Sequence, residues 1–371
     1  MRARNILGII FANMYDDCLH ELTALRTMAS VPFGGRYRLI DFHLSNMVNC
    51  GIDKVGVVTK GNYRSLMDHL GNGRPWDLAR KRDGLFLLPP FNADSSRSRS
   101  SRLEALIDLL PFIESADDEF VILTDCNVVC SFDYSGLIDF HKNTGADITV
   151  CCKRGIRPNL NDLMTFETDS DCRVTKIAVS PKLTEECLYS LNIVLLRKPV
   201  LERLIAEAKS LNYRSFTRDI MQSNVEKFKI YAYEPEGFIR TIDSLKSYYD
   251  ISMELLKREN RKELFSADRP VFTKVRDDMP AIYGINCKAK NSLIADGCHI
   301  EGEVENCILF RGARVGKNAV VKNSILMQGT IVSEGAHLNC VITDKNVTVT
   351  QGKNISGAES FPIYISKGIR V

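Results

Sequence analysis

The chain has 371 residues, enough for two domains with separate cores, and 44% hydrophobic with 26% charged residues belongs to a globular class, not a fibrous or disordered one. Lys and Arg number 49 against 46 Asp and Glu, and a net charge of +3 gives no reason to expect a nucleic-acid footprint. No segment approaches about 18 continuous apolar residues, so no membrane span is expected. The short run from Ile6 to Phe11 fits a strand better than a signal h-region.

In chain order, Ile6 to Phe11 reads as a buried strand that enters a loop, Ala12 to Leu19, without a single glycine. A phosphate-binding turn needs backbone amides close to the anion, which glycine permits best. This loop has the place of a nucleotide site without its means. Strand patterns follow at 54–60, 119–125, 147–153, 188–196 and 228–234. Helical patterns lie at 38–52, 103–113, 134–146, 198–211 and 244–260, with Pro199 suited to a first turn. Strands alternating with helices predict an open, mostly parallel α/β sheet covered on both faces, with ligands beyond the carboxyl ends of the strands. The serine and arginine run of residues 92–102 reads as a mobile surface loop, or as one contacting an anion or a partner. The 12 cysteines are scattered, several within hydrophobic runs (Cys126, Cys151, Cys152, Cys340), with no C-x-x-C pair. That usage fits reduced buried thiols in a cytoplasmic protein.

Residues 259–281, charged and carrying Pro270 and Pro280, read as a linker between a first domain, 1–258, and a second, 282–371. In the second, aliphatics recur every six residues: Ile294 and Ile300; Leu309, Val315 and Val321; Ile325 and Ile331; Val332 and Leu338; Val341 and Val347. With turn segments such as ADG and VGKNA, that period predicts a left-handed parallel β-helix of six-residue repeats, its aliphatics stacked inward.

The segment PFGGRYRLIDFHLSNMVNCGIDKVGVVTK (32–60), with ELTALR (21–26), LTD (123–125) and TID (241–243), is similar to the ADP-glucose pyrophosphorylase (glucose-1-phosphate adenylyltransferase) family. The stretch 65–91 resembles its GlgD-type branch. The resemblance implies a nucleotidyltransferase-like (Rossmann-like) domain joined to the β-helix, and a place in bacterial glycogen biosynthesis. In that family glucose 1-phosphate attacks the α-phosphorus of ATP and expels pyrophosphate, with Mg²⁺ and a loop of the form G-G-x-G-x-R-L. Anchored on ELT, that loop falls on Asn13 to Leu19. Asn13, Met14 and Asp16 stand where glycines belong, and Tyr15 and Cys18 where arginines belong. Asp16 and Asp17 are expected to face the place of the triphosphate, where a like charge at about 4 Å costs on the order of 1 kcal/mol even in water. A family lysine becomes Met28 and the sugar-phosphate lysine Ser180. Of two metal-binding aspartates, Asp125 is retained and the other falls on Phe238. SRLEA (101–105) replaces the helix start G-T-A-D-A.

The resemblance therefore implies a catalytically degenerate site with no cofactor of its own. Mg²⁺ belongs to a GlgC-type catalytic partner, with which a heterotetramer is expected; an active adenylyltransferase with a variant loop is the alternative. An acyltransferase built on the β-helix needs a catalytic histidine in a coil loop, for which His299 and His337 are the candidates. Arg26, Arg38 and Arg314 match family positions in the cleft between the domains where anionic effectors bind. A shared anion site for a phosphorylated metabolite is expected there, which requires the β-helix to fold back on the first domain.

Overall fold

The computed structural model describes residues 5–81, 83–89, 101–181 and 185–371, so most of the serine and arginine run lies outside the described residues. Strand Ile6–Phe11 is buried throughout and lies inside a nine-stranded sheet, parallel to Lys54–Val58 on one side and Phe120–Asp125 on the other. Gly84–Leu88 extends this parallel half. Beyond Phe120–Asp125 the sheet is mixed, because Glu186–Arg197 runs antiparallel both to that strand and to Ile148–Ile156. Met164–Thr168 and Val174–Val179 form an antiparallel pair just before it. Connections this short cannot make the crossover that parallel neighbours require.

Helix Lys198–Leu211 has the predicted bounds, opened by a proline in its first turn and closed by Asn212 in the left-handed region (φ 54°). The helix expected over 103–113 is two, Arg102–Asp108 and Leu110–Glu114. Pro111 has no N–H to give to the carbonyl four residues back, and the helix breaks there. The first begins in a capping box: Glu104 N–H donates to Ser101 Oγ (3.2 Å) and Ser101 N–H to Glu104 Oε2 (3.0 Å). The segment read as a linker starts with a helix, Arg258–Leu264, whose Leu264 is buried in the core of the first domain.

From Ile282 the chain winds into three five-stranded parallel sheets, the faces of a left-handed β-helix. Ile300, Val315, Val332 and Val349 stack inward on one face; Val304, Val321, Leu338 and Ile355 on the next; Leu309, Leu326 and Thr343 on the third. From Val315 on, passing from face to face takes six, five and six residues, so the coil from Val315 to Val332 has 17 residues, whereas Ile300 to Val304 takes only four and the coil from Ile300 to Val315 has 15. The short corner carries left-handed backbone at Asn306 (φ 53°), Asn323 (φ 47°) and Cys340 (φ 51°), and asparagine tolerates that conformation better than most residues. A strict six-residue spacing therefore slips across it. Ile331, six after Ile325, points outward at 40% exposure, and Val332 fills the interior. Along the same corner the asparagine amides form a ladder: Asn291 Nδ2 donates to Asn306 Oδ1 (2.7 Å), Asn306 to Asn323 (3.1 Å) and Asn323 to Asn339 (3.0 Å).

The third face also has an apolar outer side. Ile308, Ile325, Ile342, Phe310 and Met327 are buried in one cluster with Phe33, Leu39, Phe42 and Tyr248 of the first domain. Two polar ties, Arg26 to Asp344 and Tyr249 to Asn323, cross this contact, and Tyr364 braces Asp344 from within the β-helix. Arg26 Nη2 lies 2.7 Å from both carboxylate oxygens of Asp344, with both side chains 3% exposed. Tyr364 donates its hydroxyl to Asp344 (2.9 Å), and Tyr249 donates to the Asn323 carbonyl (2.6 Å). Arg26→Met leaves Asp344 buried without a counter-charge and should destabilise the chain by about 3–5 kcal/mol, whereas adding Asp344→Leu should recover most of that. Denaturant unfolding checks both, and a single variant as stable as the native chain defeats the prediction.

Candidate functional site

Phe11 ends the first strand at the carboxyl edge of the sheet, and the loop after it is tied by its own side chains. Asn13 Nδ2 donates to Asp16 Oδ2 (2.8 Å), Asn13 Oδ1 accepts from the Lys60 N–H (2.8 Å), and Asp16 Oδ1 accepts from the Met28 N–H (2.7 Å). Both carboxylate oxygens of Asp16, expected to face a triphosphate, are engaged by donors of the chain itself. A largely buried carboxylate is stabilised by amide donors, and this loop supplies two. Burial raises the Asp16 pKa to about 6, against the pull of those two bonds. Asp17 is exposed, Met14 packs against the sheet, Met28 is buried, and burial pushes the Cys18 thiol up to about 11. No residue from 6 to 33 has a positive φ, so the loop lacks the left-handed turns that aim successive N–H groups at an anion.

The Tyr15 hydroxyl accepts from Asn192 Nδ2 (2.8 Å) and lies beside Arg102. Arg102 forms an ion pair with Asp125, at 10% and 1% exposure, and its guanidinium lies 5.5 Å and 5.8 Å from the ring centres of Phe11 and Phe216. Burial pushes Asp125 up to about 6 against the pull of Arg102. Burial also opposes the Arg102 charge, but Asp125 and Tyr15 together outweigh it and raise its pKa. Phe238 is fully buried in the core, and the Ser180 hydroxyl is buried without a partner among the described residues. A divalent metal needs several oxygen ligands. Here one oxygen of Asp125 is taken by a guanidinium, and Phe238, at the position where the resemblance puts a second carboxylate, offers no ligand atom. No group of three His, Cys, Asp or Glu side chains among the described residues is placed to hold a metal ion. These residues do not fit a metal–nucleotide complex. Arg102 was legible only as part of an altered helix start. Its signal is a cation at a helix N-terminus, where the dipole opposes it.

A second site lies where the domains meet. Gly34 and Gly35, both at positive φ (59° and 85°), turn the chain between Pro32–Phe33 and Tyr37–Arg38; a Cβ on Gly35 would sit 3.7 Å from the Leu309 carbonyl oxygen. Around this turn Arg36, Arg38, Lys274, Arg276, Arg311 and Lys345 line a cleft together with one carboxylate, Asp68, which is paired with Lys274. Arg311 is 7% exposed, and its Nε and Nη2 have no partner among the described residues. Burial lowers its pKa, and neighbouring Arg36 adds to this against Asp278 and Asp296. Burial, opposed by Asp41, brings Arg38 down to about 10. Burial, then Arg38 and Arg26, brings Lys345 down to about 7. Cations that suppress one another's charge form an anion-binding surface.

Of the three arginines expected to share a site, Arg38 alone is among the residues that line this cleft. Arg38 lines the cleft, with its Nη1 donating to Ser65 O and Oγ (2.9 and 2.7 Å). Arg26 lies behind it, its charge matched by Asp344. Arg314 is exposed on strand Arg314–Val315, where inward Val315 sends its neighbour outward, and it does not line the cleft. Arg311, at the preceding coil turn, has that role. His299 and His337, weighed for acyl transfer, lie on strands and not in coil loops.

The Nucleotidyl transferase family matches residues 8–258, and the GlmU-like C-terminal hexapeptide family matches residues 280–360. The class is therefore a nucleotidyltransferase domain joined to a hexapeptide-repeat β-helix. "Glycogen biosynthesis protein GlgD" of Bacillus subtilis (strain 168) is 34% identical over 98% of this chain and 96% of its own length. The protein of the same name from Geobacillus stearothermophilus is 38% identical over 85% and 82%. "Glucose-1-phosphate adenylyltransferase" of Pseudothermotoga lettingae is 35% identical over 86% and 76%. The chain belongs to the ADP-glucose pyrophosphorylase (glucose-1-phosphate adenylyltransferase) family of glycogen biosynthesis, in its GlgD-type branch.

Sulfate, whose charge is constant in this range, is expected to bind the cleft most tightly below about pH 7, where Lys345 is protonated, and to weaken by about tenfold as the pH rises to about 9. Lys345→Met should flatten that dependence, and Arg311→Met should weaken binding at every pH. Calorimetric titration reads both; a pH-independent affinity in the native chain rules out the role of Lys345.

Proposed function

We propose that the chain is a non-catalytic, regulatory and assembly-forming subunit of ADP-glucose pyrophosphorylase. It acts in bacterial glycogen biosynthesis and pairs in the cytoplasm with a GlgC-type catalytic subunit as a heterotetramer. The observation that carries this reading is Arg102 lodged on Asp125, with Phe238 where a second carboxylate belongs and a glycine-free loop tied shut above them. Around that site the sheet, the helices and the docked β-helix keep continuous apolar cores. A packed fold around a degenerate site supports a use in assembly. Two relatives carry the name glycogen biosynthesis protein GlgD, while others are named for the adenylyltransferase reaction.

The cationic cleft suits a phosphorylated metabolite as effector, since guanidinium groups offer paired donors in a plane and keep their charge at physiological pH. An anion held there touches the first domain through Arg36 and Arg38 and the β-helix through Arg311 and Lys345. Regulation then requires that this chain, or the effector on it, binds one state of the catalytic partner better than the other.

Two measurements test the reading. Alone, the chain should form no appreciable ADP-glucose from ATP, glucose 1-phosphate and Mg²⁺, because each lost preorganised charge removes roughly 3–4 kcal/mol of transition-state stabilisation. Turnover within about tenfold of an active family member defeats it. Co-expressed with the catalytic subunit, the chain should elute as one mixed species and raise kcat or lower KM. Separate elution, with the partner's kinetics unchanged by excess chain, excludes the regulatory role.

A further inference from the structure

We infer that Arg102 is the resident cation of the inherited metal site: its guanidinium meets Asp125 in place of a divalent ion and closes the site to metal and nucleotide. Four separate elements converge on it. Phe11 from the end of the first strand and Phe216 from the helix Phe216–Gln222 flank the guanidinium at 5.5 and 5.8 Å. Tyr15 reaches it from the glycine-free loop, and Asp125 from the end of its strand. In a nucleotide-binding domain such elements are bridged by a ligand and its counter-ion. Here a covalently attached cation bridges them.

Two details separate this from an ordinary ion pair. Arg102 opens its helix, where the backbone dipole disfavours positive charge, so the carboxylate and not the helix sets its position. Asp125 Oδ1 and, two residues on in the chain, both polar side-chain atoms of Asn127 are buried without partners among the described residues. The carboxylate itself keeps acceptor capacity that one guanidinium does not use.

The inference rests on the non-catalytic reading, and the test separates the two. The full chain is titrated with Mn²⁺ as probe, following water-proton relaxation and thermal unfolding, for the native protein, Asp125→Asn, Arg102→Ala and the double variant. The native chain should show no Asp125-dependent Mn²⁺ binding. Arg102→Ala should melt lower by about 5 °C or more, because it strands a buried carboxylate. Mn²⁺ should restore part of that loss, and Asp125→Asn in the same chain should abolish the recovery; Arg102→Gln, which keeps the bulk, serves if the alanine variant does not fold. Asp125-dependent Mn²⁺ binding by the native chain overturns the inference. So does a destabilised Arg102 variant indifferent to Mn²⁺. ADP-glucose synthesis by the native chain overturns the non-catalytic reading instead, whereas Mn²⁺ binding without turnover overturns only the role of Arg102.

Discussion

One sheet of the β-helix is apolar on both sides, and much of the architecture depends on covering its outer side. Ile308, Ile325 and Ile342 cannot face water at the cost of about 2 kcal/mol each, and the first domain supplies Phe33, Leu39 and Phe42 to receive them. Everything at the junction follows from that contact. Arg26 is brought to Asp344, the turn at Gly35 comes against Leu309, and six cations from both domains and the linker gather around one cleft. The hydrophobic contact sets the orientation, while the polar ties fix the register within it.

The first domain was legible where local pattern and burial agree. The continuous apolar run of Ile6–Phe11 and the helix Lys198–Leu211, with its proline at the start and asparagine at the end, lie where the sequence places them. The direction of Glu186–Arg197 was not legible, because strand direction depends on the length and path of the preceding connection and not on the strand's own residues. In the β-helix the repeat identified the fold, but a phase counted in sixes drifted at each five-residue corner, which left Ile331 outside and Val332 inside. The site shows the same division. Replaced residues such as Tyr15, Cys18 and Phe238 could be read as losses, since a motif states what should stand there. What stands in compensation could not. Arg102 and Arg311 acquire their meaning only from neighbours 23 residues away in one case and from the opposite domain in the other.

The two sites differ in how their charge is balanced. At the inherited nucleotide site each charge is matched internally: Asp125 by Arg102, Asp16 by amide donors. In the cleft the balance is left open, with Arg311 buried and two of its nitrogens unpaired among the described residues. One site is thus neutralised from within, while the cleft at the domain junction stays electropositive.

The five-residue corner of the β-helix constrains how such a chain can change length. Each inward aliphatic is placed by counting from the previous corner, so a single inserted residue shifts every later side chain to the opposite face, much as a dropped stitch reverses a knitted row. The asparagine ladder then loses its vertical alignment as well. Insertions and deletions within this domain are tolerable at the exposed turns, as in the 15-residue coil from Ile300 to Val315, or as whole coils added or removed as a unit. Growth by complete coils lengthens the domain along its axis without disturbing the face that docks.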